Sequence, residues 1–196
     1  MKEIINLALK LFVITAVAAL ALAFTNSITG ERIAEQIEME NKLAREEVIS
    51  PSDYFEQVEQ QTIIDHEKKL GFNNLEIISE VYKDIVGDEI IGYTFKVLPK
   101  GYGGEMNILV GISIEGEITG LKVVGHSETP GLGAKATEKS FQDQFAGMST
   151  STPLTVIKSG TAGDSEVQAI TGSTITTQAV TDGVNAALEV FNEMNK

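Results

Sequence analysis

Five hydroxyls crowd the stretch Val167 to Val180, VQAITGSTITTQAV. Thr171, Ser173, Thr174, Thr176 and Thr177 lie between a short apolar strand and an apolar-striped final helix. Hydroxyls gathered at a helix N-terminus can cap it, accepting hydrogen bonds from first-turn N–H groups, while Gly172 merely lets the backbone turn. They can also frame an anion site, because free backbone N–H groups and the positive end of the helix dipole favour a phosphate there. A hydroxyl in that position could carry a phosphoester. Both readings stay open on these residues alone.

A second stretch, GHSETPGLGAKA from Gly125 to Ala136, holds Pro130, Gly131 and Gly133 in a loop with little side chain to block a flat ligand. Gly101, Tyr102, Gly103 and Gly104 make another permissive loop, whose tyrosine can pack on a ring or cover the core. Glu128 reads either as a carboxylate beside a ligand or as a loop cap. His126 and His66 read as solvated or packing residues.

The elements that must position these loops follow from periodicity. Glu31 to Val48 has no Gly or Pro and places Ile33, Ile37, Ala44 and Val48 at helical spacings, which predicts a helical stalk. After Pro51, Ser52 or Asp53 is expected to cap a second helix presenting Tyr54, Phe55 and Val58 to a core. Leu75, Ile77 and Val81 alternate as one strand face and Ile91, Tyr93, Phe95 and Val97 as another, with Gly87 and Asp88 turning between them. Alternation resumes at Met106, Ile108, Val110, Ile112 and Ile114, and Glu115 with Gly116 turns into Ile118 to Val124. A helix is expected over Ala134 to Phe145, short strands at Leu154 to Ile157 and Val167 to Ile170, and a last helix from about Thr177 to Asn195. Its stripe of Val180, Val184, Ala187, Leu188 and Phe191 reads as core. The fold class is α+β, an antiparallel sheet flanked by helices, with residues 51–196 as the domain, 25–50 as stalk and 1–24 as anchor.

That anchor, Ile4 to Phe24, is almost wholly apolar and at 1.5 Å per residue reaches about 31 Å, enough to span a bilayer. Lys10 can snorkel to the near interface. Lys2 and Lys10 precede the far side, which has no basic residue before Arg32, so the N-terminus is expected in the cytoplasm. A cleavable signal peptide is the competing reading, with small residues at Ala19, Ala21 and Ala23. Either way the rest of the chain is exported.

Composition narrows the chemistry. The 196 residues carry 28 acids against 15 bases, a net charge of −13 that repels nucleic acid. With no cysteine and two histidines, the chain has no material for a disulfide, a thiolate nucleophile or a cysteine-held cluster. No metal site and no catalytic triad are expected, so redox work would need another cofactor.

TGSTIT at Thr171 to Thr176 is similar to the [ST]GATx[ST] motif of exported flavoproteins that hold FMN through a phosphoester to the motif's last threonine. HSETPGLG at His126 to Gly133 resembles the same proteins' second signature. With the N-terminal anchor and the GYGG loop, the chain resembles, over nearly its whole length, the G subunits of Rnf electron-transport complexes. The C subunits of sodium-pumping NADH:quinone reductases share the motifs but are usually longer. Two positions depart from the pattern: Ser173 stands where alanine is usual, and Gln168 where an aspartate is usual.

The resemblance implies a membrane-anchored electron-transfer subunit in an ion-translocating ferredoxin:NAD oxidoreductase. It implies FMN esterified to Thr176 by a separate flavin transferase that uses FAD and releases AMP, with Thr177 as the fallback acceptor. Thr171, Gly172, Ser173 and Thr174 complete the motif. Glu128, Thr129 and Leu132 would lie beside the ring, Glu128 lowering its potential, with Tyr102 and Gly103 contributed by the GYGG loop. Other subunits of the complex are the implied partners. A stand-alone extracytoplasmic flavoprotein reductase and a cofactor-free assembly subunit are the other classes the residues allow.

Overall fold

The computed structural model describes residues 1–71, 77–149 and 151–195. It divides into two compact units, Met1–Asn41 and Lys42–Lys196. The first is formed by most of α1 (Lys2–Val48), one continuous helix long and apolar enough to cross a membrane. Its hydroxyls are satisfied within the helix: Thr15 Oγ1 donates to the Leu11 carbonyl at 3.0 Å and Thr25 Oγ1 to Ala21 at 2.9 Å. A polar group in hydrocarbon requires such a partner.

The second unit is built on five strands in a continuous antiparallel meander: β1 (Tyr54–Gln57), β2 (Ile78–Val86), β3 (Glu89–Val97), β4 (Asn107–Ser113) and β5 (Ile118–Gly125). Period-two alternation gives each strand two faces. One face carries Val81, Phe95, Ile108, Val110, Ile112 and Val123 into the main core. There they meet α4 (Thr174–Met194), whose Val180, Val184, Ala187, Leu188 and Phe191 are all buried. Between sheet and helix, Tyr93 meets Phe191 edge-on at 6.0 Å. A parallel pair, β6 (Thr155–Ile157) with β7 (Glu166–Gln168), leads into α4.

The opposite sheet face is flattened by glycine. A Cβ on Gly111 would stand 2.5 Å from the Val48 carbonyl oxygen, and one on Gly120 3.0 Å from it. Gly111 and Gly120 are cross-strand partners. Their missing side chains let the end of α1 lie against the strands, where Ala44, Val48 and Leu109 form a second small core. Thr119 Oγ1 donates to the Val48 carbonyl at 2.6 Å, satisfying an acceptor that the helix end leaves open.

Beside this contact Arg45 stacks on Tyr82, its guanidinium carbon 4.4 Å from the ring centroid. Buried Asp84 accepts from Thr94 Oγ1 at 2.9 Å. Burial pushes its carboxyl up to about 7, against the opposing pull of the Thr94 hydroxyl and the Arg45 charge. Glu67 on α2 (Gln60–Leu70) is likewise pushed up to about 7 by burial, with the Ile78 N–H opposing.

The structure corrects two expectations. Tyr54 to Gln57 form edge strand β1 and not a helix, because these residues pair with β2 and Asp53 Oδ2 accepts from Gly87 N–H at 2.7 Å in the β2–β3 turn. Asp53 thus caps a hairpin. Ala134 to Phe145 divides into a 3-10 turn, Gly133–Thr137, and α3 (Lys139–Gln142), since Glu138 takes an extended conformation between them. Phe141 and Phe145 still pack together, rings 5.6 Å apart. In the stalk, Ala44 and Val48 are buried while Ile33 and Ile37 are exposed. Leu75, assigned from sequence to the second strand's face, lies outside the described residues.

Candidate flavin site

Helix α4 starts at Thr174, earlier than periodicity suggests, so TGSTIT straddles its first turn. Gly172 has φ 77°, a left-handed conformation that favours glycine, and it delivers Ser173 to the N-cap. Ser173 makes no side-chain capping bond. The simple capping role allowed by the sequence is therefore not what its hydroxyl does, and the first-turn N–H groups have no intrahelical partner.

These residues open onto a cavity of about 570 Å3, lined by Tyr102, Glu128, Thr129, Leu132, Gly133, Gly172, Ser173, Thr174, Ile175 and Thr176. Three loops and one helix end converge there. The GYGG loop approaches so closely that a Cβ on Gly103 would lie 3.0 Å from the Glu128 Cα. Gly131, at φ 76°, turns the ETPGLG loop, and Leu132 and Ala134 N–H both donate to the Thr129 carbonyl at 3.2 Å.

Glu128 ties the loops together. Its Oε1 accepts from Gly103 N–H at 2.9 Å, and its Oε2 accepts from Thr176 Oγ1 at 2.8 Å. Its own N–H donates to His126 Nδ1 at 3.1 Å, which requires that nitrogen to carry a lone pair. His126 is thus a loop organiser. Glu128 is 6% exposed and Thr176 1%. The carboxylate expected beside a flavin ring engages the threonine hydroxyl.

Thr177 is different. Its Oγ1 accepts from Ile170 N–H at 3.0 Å and donates to the Ser173 carbonyl at 3.1 Å, fully buried. Both of its hydrogen-bonding directions are used by backbone.

Of the residues singled out from sequence, Tyr102, Glu128, Thr129, Leu132, Gly172, Ser173, Thr174 and Thr176 line the cavity, while Thr171 and Gly103 stand outside its lining. Gly133, expected from sequence to leave room for a flat ligand, also lines it, and Ile175 lines it without having been singled out. Gly133 is crowded, since a Cβ there would meet the Glu128 carboxylate and lie 2.7 Å from Thr176 Oγ1. Ile175 carried a readable signal, an apolar side chain amid hydroxyls, and it is 58% exposed at the cavity. Gln168 lies in β7, where Gln144 Oε1 accepts from its N–H at 2.8 Å.

Residues 101–189 match the FMN-binding domain family. The chain is 44% identical to the G subunit of the Na+-translocating ferredoxin:NAD+ oxidoreductase complex of Acetobacterium woodii, over 100% of this chain and 95% of that one. It is 34% identical to the G subunit of the ion-translocating oxidoreductase complex of Methanosarcina acetivorans, over 96% and 94% of the two chains. The chain belongs to the G-subunit family of ion-translocating oxidoreductase complexes. Among solved structures, this family member resembles the C subunit of the Na+-translocating NADH-quinone reductase of Parabacteroides distasonis. That match has a TM-score of 0.53 at 18% identity, covering 78% of this chain and 83% of that one. Shewanella oneidensis NqrC gives 0.52 at 21%, covering 59% and 60%. At such identities the likeness is one of fold.

Proposed function

We propose that this chain is the FMN-carrying electron-transfer subunit of a membrane-bound, ion-translocating ferredoxin:NAD oxidoreductase complex, with the flavin joined through its phosphate to Thr176. The observation that carries the attachment point is the contrast between neighbours. Thr176 lines the cavity in the first turn of α4, whereas Thr177 is committed to backbone on both sides.

The residues fit the group. A cavity of about 570 Å3 lies within the range of roughly 300–1,000 Å3 usual for small-molecule sites. The first-turn N–H groups of α4 and the helix dipole suit a phosphate, and Gly133 and Gly172 keep side chains out of its way. Tyr102, Leu132 and Ile175 supply apolar surface for a flat ring system. When bound, FMN supplies one- or two-electron chemistry. The chain's residues position it and exclude water; an ester keeps an exported domain from losing it by dilution.

Met1 to Phe24 serves in this reading as a retained single-pass anchor, with Lys2 and Lys10 holding the N-terminus on the cytoplasmic side. The domain works outside the cytoplasm alongside the other subunits, after a flavin transferase has loaded it from FAD. Thr176→Val tests the attachment. In-gel flavin fluorescence under denaturing conditions should vanish while the domain stays folded; undiminished fluorescence would contradict the assignment.

A further inference from the structure

We propose that Ser173 helps to hold the flavin phosphate, its hydroxyl donating a hydrogen bond to a non-bridging oxygen of the phosphoester on Thr176. This rests on the reading of Thr176 as the attachment point.

Ser173 is the N-cap of α4 and is 7% exposed. Its backbone is fully used. The N–H donates to the Ile170 carbonyl at 2.8 Å, and the carbonyl accepts from Thr177 N–H at 3.0 Å and from Thr177 Oγ1 at 3.1 Å. Its hydroxyl is not used. At φ −137° and ψ 45° the residue departs from the extended conformation usual for an N-cap, and its side chain makes no capping bond. A hydroxyl this buried costs free energy when it lacks a partner. Ser173 lines the cavity, so the cavity is where that partner would sit.

The surroundings set the chemistry of the partner. The N–H groups of Thr174, Ile175 and Thr176 have no intrahelical acceptor, and the helix dipole adds partial positive charge, which together favour a negatively charged acceptor. Side chains three positions apart share a helix face, so the N-cap Ser173 and Thr176 in the first turn are neighbours, as the matching positions are in a capping box. On the other side of Thr176, Glu128 Oε2 accepts from Oγ1 at 2.8 Å. An ionised carboxylate has no hydrogen to offer a phosphoryl group, which leaves Ser173 and the first-turn N–H groups as its donors. Thr174 also lines the cavity, but it is only half-buried. The motif this chain resembles usually has alanine at position 173, so the contact is an addition of this chain.

The test compares the full-length chain in detergent, wild type and Ser173→Ala, each prepared with and without co-expressed flavin transferase, with intact mass reporting the loading. Without flavin the hydroxyl has no partner to lose, so the variant's unfolding midpoint should match or slightly exceed that of wild type. With flavin attached, the variant should unfold about 3–6 °C lower, the shift expected for one hydrogen bond to a charged group in a domain of this size. The phosphorus NMR resonance of the ester should also move. An equal midpoint change with and without flavin, or an unmoved phosphorus resonance, would overturn the proposal while leaving Thr176 as the attachment point. A wild-type chain that gains no FMN, or gains it on another residue, would instead overturn the attachment reading. If Ser173→Ala does not fold or does not load, Ser173→Cys, close in size, kept reduced and a much weaker donor, carries the same comparison with the same outcomes.

Discussion

At Thr177 one buried hydroxyl serves two backbone groups, closing the turn between Ile170 and Ser173. Thr177→Val removes the acceptor for a buried N–H, which costs about 1–3 kcal/mol when left unpaired. We expect a lower unfolding midpoint by calorimetry with flavin fluorescence retained at Thr176. Loss of flavin with no loss of stability would reverse the roles of the two threonines. Sequence alone offered two adjacent hydroxyls and no means to choose, because hydroxyl direction depends on where helix α4 begins. The start at Thr174, set by Gly172 and Ser173, turns Thr176 to the cavity and Thr177 inward. Glu128 was visible as a site residue, but its bond to a hydroxyl 48 positions away is a product of tertiary folding.

Among the elements, the strand faces of β3, β4 and β5 and the core stripe of α4 were legible because alternation and helical period are local properties. The β1 strand was not, since Tyr54 to Gln57 is extended by pairing with β2, a partner more than twenty positions along the chain. The glycine pair under α1 was also hidden: no local pattern marks Gly111 and Gly120, and their reason is the Val48 carbonyl above them. Gly111→Ala tests that reason. The added Cβ has nowhere to go, and overpacking of this kind costs about 1–3 kcal/mol. Denaturant unfolding of the full chain should show that loss; wild-type stability would mean the close approach is dispensable.

For the whole molecule, burial of acids sets the pH response. Asp84 is raised from 3.8 to about 7 in the fold. Between those values the native state holds a proton that the unfolded chain has released, so stability falls as pH rises from about 4 to about 7 and then levels. Glu67, raised from 4.5 to about 7, acts in the same direction. Asp84→Asn keeps an oxygen for the Thr94 hydroxyl and removes the titration. Unfolding midpoints measured from pH 4 to 8 should therefore fall less steeply in the variant, the difference bounded by about 4 kcal/mol. An identical slope in the two proteins would place the pH response elsewhere.

The central claim, that this membrane-anchored chain carries one FMN on Thr176, is most directly tested by intact mass. The full-length protein, expressed with its flavin transferase, should be heavier by one FMN ester. Fragmentation should locate the added mass on Thr176 in the peptide spanning Thr171 to Thr177. An unmodified mass under the same conditions, or a flavin carried on any other residue, would contradict the account.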